Sequence, residues 1–254
     1  FVKDFEDIDG SKSSFSLSVQ DTSNDKYLKL YRVKSNLVDY EKDNLESTLN
    51  FTHENEDLFL GVNAAVYETL KDTYNDKYEY ILPELTIDKN LFSNNELGNL
   101  DLQTNFKVHN YDTNKLTSFL INDLDWNFKD FNFKSGLKGK FLANVININY
   151  EAKNVDIYKK DTTSELYGAF GYLTQLNLEK ISNNSKQKLK PKVLFRYSPN
   201  NNMRKEDTGS TLSPINAFNI NRLDSTDNYE TGFSTTIGLD YEISENSKKF
   251  DFSI

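Results

Sequence analysis

The sequence predicts an all-β chain: a segment of an antiparallel transmembrane β-barrel with about a dozen long strands, part of a larger barrel or, as it stands, an open curved sheet. Three observations predict it. A run from Tyr229 to Ile243, YETGFSTTIGLDYEI, puts Tyr229, Thr231, Phe233, Thr235, Ile237, Leu239, Tyr241 and Ile243 on one face. Glu230, Gly232, Ser234, Thr236, Gly238, Asp240 and Glu242 fall on the other. The same two-faced alternation recurs along the chain. No stretch approaches about 18 consecutive apolar residues, which excludes a transmembrane helix and leaves strands.

The run from Tyr229 decides the class. At about 3.4 Å per residue it would extend about 50 Å, whereas strands of soluble proteins usually stop after about 5 or 6 residues. Tilted by about 45°, it clears a hydrocarbon core of about 30 Å. Tyr229 and Tyr241, near its ends, occupy the positions of an interfacial aromatic girdle. A long hairpin arm on a soluble sheet carries the same alternation, so the run alone leaves both open.

Taken from the start, the chain opens FVKDFEDIDG without an initiator Met, a charged leader or an apolar signal core, and closes KKFDFSI inside a fresh alternating strand. It therefore reads as a piece of a longer protein. The acidic stretch DFEDIDG has the look of a calcium loop. Phe5 stands where the first ligand carboxylate is needed, however, and Ser16 where the closing Glu belongs, so it carries no metal assignment. Leu45, Ser47, Leu49 and Phe51 form a strand face. After the polar turn HENED, Leu58, Leu60, Val62, Ala64 and Val66 form a second, with the spacing of a hairpin. Leu100, Leu102, Thr104, Phe106 and Val108 give a third clean face. Leu116, Leu120 and Leu124 fit a strand face and a helix equally, but the Asn, Asp, Thr and aromatic flanks favour a strand, with Trp126 as its interface anchor. From Leu137 to Tyr150 both faces are mixed: Leu142, Ile146, Ile148 and Tyr150 on one, Ala143 and Val145 on the other. That pattern fits a strand packed on both sides or a shifted register. Leu166, Phe170, Tyr172, Leu176 and Leu178 suggest another strand, and the short strand KPKVLFRYSP precedes the long polar stretch 198–228. By its length that stretch is a cell-surface loop or an element folded into a lumen, and SENSKK a periplasmic turn.

Composition narrows the chemistry. Net charge is −9, with 30 basic residues spread among 39 acidic ones and no basic stripe, which argues against nucleic acid as a partner. There is no Cys, hence no disulfide or thiol chemistry in this piece. His53, in the polar turn, and His109, on a polar strand face, are the only histidines. With no GxSxG, HExxH, Walker or GxGxxG pattern, neither a catalytic residue nor a cofactor is assigned. Asn50-Phe51-Thr52 and the NNS at Asn184 match the glycosylation tripeptide, as an Asn-rich chain does by chance. The remaining constellation is NRLDSTDNYE, where Arg222, Asp224, Asp227 and Glu230 bring three carboxylates and a guanidinium to the mouth of the best strand. They form either a salt-bridged lining for a hydrophilic channel or an ordinary charged loop. By parity, Phe233, Ile237, Leu239, Tyr241, Leu58, Leu60, Val62, Phe106 and Val108 are the lipid-facing residues.

Particular stretches also resemble a known family. KPKVLFRYSPNNNMRKED, INAFNINRLDSTDNYETGFSTTIGLDYEI and KKFDFSI resemble the C-terminal barrel region of the lipopolysaccharide-assembly family LptD, in its alphaproteobacterial forms. DKYLKLYRVKSNLV, LESTLNFTHENEDLFLGVNAAVYETL and YEYILPELTIDKNLFSNNELGNLDLQTNFKVHNYDTNK extend the resemblance over residues 25–254. It implies a very large barrel in the outer membrane of a Gram-negative bacterium. With an LptE-like plug lipoprotein, that barrel receives lipopolysaccharide from periplasmic bridge proteins and places it in the outer leaflet among outer-membrane lipid. Residues 1–254 would be part of one barrel domain, with the periplasmic N-terminal domain and the closing strands outside this chain. The family's interdomain cysteines are absent here. Pro83, in YEYILPEL, matches a family motif and within a strand removes one ladder hydrogen bond. A porin-like channel and a soluble β-rich binding module are the competing readings.

Overall fold

The computed structural model describes residues 1–6, 10–71, 76–112, 114–182, 185–199, 212–223, 229–245 and 248–253. Among them lie one five-residue helix, α1 (Tyr27–Tyr31), and fourteen strands. The strands are β1 (Val2–Glu6), β2 (Lys12–Ser18), β3 (Asn44–Glu54), β4 (Leu58–Thr69), β5 (Tyr78–Asn94), β6 (Gly98–Tyr111) and β7 (Lys115–Asn127). They continue with β8 (Phe131–Asn132), β9 (Leu137–Lys153), β10 (Thr163–Leu176), β11 (Leu178–Ile181), β12 (Ser185–Ser198), β13 (Gly232–Glu245) and β14 (Lys248–Ser253). The hydrogen-bonded order β1-β2-β3-β4-β5-β6-β7-β9-β10-β12-β13-β14 is a meander, with the short β8 and β11 pairing beside it on β9 and β12. β5 and β9 each run 17 residues, a length few soluble strands reach. The order is not closed on itself: β1 and β14 stand at its two ends.

The chain resolves into two compact units. The first comprises Phe1–Asn90, Leu102–Asn122 and Ile148–Ser164. Its strand registers sort side chains by chemistry. Phe15, Phe51, Val62 and Leu85 stand in one cross-strand row, and Ser16, Asn50, Asn63 and Glu84 in another on the opposite face. Asn50 Nδ2 donates to Ser16 Oγ (3.3 Å), Asn63 Nδ2 to Glu84 Oε2 (3.0 Å), and Lys107 Nζ lies 3.2 Å from Glu84. The pleat thus delivers the alternation read from sequence. A register shift between Asn63 and Ala65 falls opposite Pro83, whose missing N–H cannot serve the ladder. The connection after β2 carries α1. That helix is too short to stand on propensity and is held by Leu28 packing on buried Leu45 and Leu70, with Val33, Val38 and Tyr40 around them. His53 lies in β3, not in the turn after it, and its Nδ1 pairs with Ser13 Oγ at 2.9 Å. Val2–Glu6 and Lys12–Ser18 are hairpin strands, so Asp4, Phe5 and Glu6 of DFEDIDG are committed to a ladder.

The second unit comprises Leu91–Asp101, Asp123–Asn147 and Glu165–Ile254. The register sets Phe170, Tyr197 and Phe233 in one cross-strand row, and Gly171, Arg196 and Ser234 in the next, pointing the other way. The first row's face is open: Phe233 is 70% and Ile237 76% exposed, and Leu166, Phe170, Phe195 and Tyr197 are exposed with them. The second face is covered: Tyr167, Ala169, Leu194, Arg196 and Ser198 are buried. β9 explains its mixed pattern in the same way. Leu142, Asn144 and Ile146 are buried, whereas Phe141 and Val145 are exposed, so neither two-sided packing nor a register slip is needed. The ambiguous leucines Leu116, Leu120 and Leu124 lie in strand β7. The run predicted from Tyr229 begins three residues late, at Gly232, whose φ of 85° turns the backbone out of the strand.

Candidate functional site on the covered face

Against the covered face of β10, β12 and β13 lie Ile220, Arg222, Tyr229 and Glu230 of the long connection, so among its described residues this part folds onto the sheet. Its seat is a glycine. A Cβ at Gly171 would stand 2.6 Å from Ile220 Cδ1 and 3.1 Å from the Phe195 carbonyl, so a side chain there would push the end of Ile220 out of its present seat.

Two arginines fasten the segment. Arg196, 1% exposed, reaches from the middle of the face: its Nε donates to the Ile220 carbonyl (2.6 Å) and its Nη2 to the Glu230 carbonyl (2.9 Å). Its guanidinium also lies 5.4 Å from the centre of the Tyr229 ring. Arg222 comes from the segment itself and forks onto Glu230: Nε donates to Oε2 at 2.6 Å and Nη2 to Oε1, while Nη1 donates to Thr236 Oγ1 of β13 at 2.7 Å. This bidentate geometry is the strong form of a carboxylate–guanidinium pair, and Arg222 is buried in it. Tyr229, also buried, donates from its hydroxyl to Asn144 Oδ1 (2.8 Å), and Asn144 Nδ2 donates to Asp123 Oδ1 (2.5 Å). The segment is thereby tied to β9, β12 and β13.

The four residues singled out from sequence fare differently. Arg222 and Glu230 are brought together; Asp224 and Asp227 lie outside the described residues. Tyr229 is not a girdle residue, because Gly232 ends the strand before it and Asn144 draws it inward. Sequence reasoning missed Arg196, Asn144 and Asp123. The parity of KPKVLFRYSP does set Arg196 opposite Phe195 and Tyr197, but two of its acceptors are backbone carbonyls 24 and 34 residues away, which no side-chain pattern encodes.

Of the residues read as lipid-facing, Phe233 and Ile237 are exposed on the open face, and Leu239, Tyr241, Leu58, Leu60, Val62, Phe106 and Val108 are half-buried. Trp126 donates from Nε1 to the Leu97 carbonyl (2.8 Å) and starts an aromatic chain. It runs through Phe128 (5.3 Å between ring centres), Phe131 (5.8 Å) and Phe141 (5.8 Å) to Phe170 (5.6 Å) and Tyr172 (4.9 Å from Phe141).

Long antiparallel strands, an exposed apolar face and an opposite face that buries an arginine beneath the chain's own connection define a protein of the transmembrane β-barrel class. The model of one such family, LptD, LPS transport system D, matches residues 3–254, and the chain belongs to that family. A comparison with curated proteins finds no match. The chain accordingly serves lipopolysaccharide transport and insertion into the outer membrane, with lipopolysaccharide as its substrate within the Lpt transport system. The family is one of transport and insertion in the Gram-negative outer membrane rather than one of enzymes, and its membership decides against the porin-like and soluble-module readings.

Proposed function

We propose that residues 1–254 form part of one outer-membrane barrel domain that, in the full-length protein, passes lipopolysaccharide with its saccharide against the polar face. The acyl chains leave sideways through a strand seam. Moving a glycolipid makes and breaks no covalent bond, so the work is solvation and shape. The observation that carries this reading is the registered polarity of β10, β12 and β13, in which aromatic and aliphatic rows are exposed while an arginine is buried. A soluble fold inverts that preference.

In this reading Phe233, Ile237, Leu239 and Tyr241 contact lipid, with Leu58, Leu60, Val62, Phe106 and Val108, and Trp126 sits at the membrane interface. Arg222 and Glu230 line the aqueous side, and Asp224 and Asp227 join them on the strength of sequence alone. The short connection SENSKK after β13 faces the periplasm. An LptE-like lipoprotein plugs the barrel, and periplasmic bridge proteins deliver the cargo. Nitroxide labels on the full-length protein in liposomes test the polarity. Labels at Phe233→Cys and Ile237→Cys should collide with oxygen and not with a soluble nickel chelate. A label at Thr236→Cys should show no such preference for oxygen. Equal chelate access at all three positions would sink the reading.

A further inference from the structure

One strand, β12, carries a row of positive charge on the side that holds Arg196. Lys186, Lys188, Lys190, Lys192 and Arg196 occupy alternate positions of β12 and so share a face. Register places Ser244, Glu242, Asp240 and Gly238 of β13 opposite the four lysines. Three lysines hold carboxylates: Lys186 pairs with Glu179, Lys188 with Glu242 (3.0 Å) and Lys192 with Asp240 (2.8 Å). At the end of this ladder the pairing is incomplete. Arg196 Nη1 is buried without a hydrogen-bond partner, and Glu230 Oε2 stands 3.7 Å from it, too far to accept well. Ser234 Oγ, on the residue directly opposite Arg196, and Ser198 Oγ, two positions along, are also buried and unpartnered. Two unfilled hydroxyls beside a buried guanidinium that itself has an unfilled nitrogen are costly unless water or a ligand meets them.

We propose that this end of the β12 ladder is a phosphate subsite for the saccharide of the transported glycolipid, with the Glu230 carboxylate as its built-in stand-in. A phosphate monoester presents the acceptor oxygens that Arg196 Nη1, Ser198 and Ser234 lack, and a second oxygen competes with Glu230 for Arg222. The lysines below Arg196 form a series of exchangeable ion pairs along which an anionic group is handed. Neutralising Glu230 therefore frees the site, and removing the hydroxyls spoils it. The inference rests on the transport reading above and deepens it.

The test uses the full-length protein in detergent micelles and three probes: inorganic phosphate, intact lipopolysaccharide and phosphatase-treated lipopolysaccharide. Glu230→Gln should tighten phosphate binding by about tenfold, and Ser198→Ala with Ser234→Ala should weaken it by about tenfold, as the gain or loss of charge-assisted hydrogen bonds implies. The serine variants remove only unpartnered hydroxyls, so their fold is retained, and Arg196→Lys should weaken binding with the fold checked by heat-modified gel mobility. Intact lipopolysaccharide should bind more tightly than the phosphatase-treated form. Equal binding of the two forms, or phosphate binding indifferent to every variant, overturns the subsite and leaves the transport reading standing. Failure to bind either form overturns both.

Discussion

Replacing Glu230 by Ala is the sharpest perturbation of the covered face. In the wild type this carboxylate accepts two bonds from Arg222 and stands 3.7 Å from Arg196 Nη1, and its side chain is 24% exposed. The substitution leaves two buried guanidinium groups sharing Thr236 Oγ1 and backbone carbonyls, with no carboxylate against either among the described residues. Breaking a fully buried pair by removing one partner costs about 3–5 kcal/mol. Residual access of water to Glu230 lowers the expectation to about 2–3 kcal/mol. The loss should appear as a lower urea midpoint for the full-length protein refolded in detergent. It should also appear as faster amide exchange in residues 212–223 and 229–231, with β12 and β13 little changed. The double variant Arg222→Met with Glu230→Met should recover most of the stability, because well-packed apolar side chains of similar volume replace a buried ion pair at little cost. Unchanged exchange in Glu230→Ala, or a double variant as unstable as the single, would refute the idea that this pair fastens the segment.

Three further outcomes are expected. Gly171→Val forces a side chain into the space where an added Cβ would stand 2.6 Å from Ile220 Cδ1, so the segment should loosen by about 1–3 kcal/mol, read by the same exchange experiment. Ile237→Arg, on the open face, should cost about 2–4 kcal/mol in a bilayer-folding titration if it sits near the midplane; a change near zero would place that face in water. At the α1 connection, the Lys29 ammonium beside Asp43 holds its carboxyl below the ordinary value of 3.8. A depressed carboxyl contributes stability above its unfolded pKa and loses it as pH falls through the lower folded value. Limited proteolysis after Tyr27 or Tyr31 should therefore accelerate below pH 3.8, and Asp43→Asn should remove that acid-dependent component.

Much of this architecture is legible in the chain because a period of two is hard to counterfeit over a dozen residues. The strands holding Leu45–Phe51, Leu58–Val66 and Leu100–Val108 follow from it directly, and β7 follows from the company its leucines keep. Where the reading stops, a local rule meets a distant partner. Parity runs on through Tyr229, but Gly232 breaks the strand and Asn144, 85 residues away, captures the ring. The helix α1 is five residues long and exists only because Leu28 finds Leu45 and Leu70. Arg222 and Glu230 stand out in one charged cluster of the sequence, whereas the partners of Arg196 are carbonyl groups positioned by the fold. The mixed strand β9 looked inconsistent because its apolar residues serve two solvents: the covered interior on one face and the open side on the other.

The most direct measurement is the arrival of newly made lipopolysaccharide at the cell surface when the full-length protein is depleted and then restored. The account predicts that surface lipopolysaccharide, read by an outer-leaflet modifying enzyme, falls on depletion and returns with the wild-type chain. Undiminished surface delivery in depleted cells would contradict it.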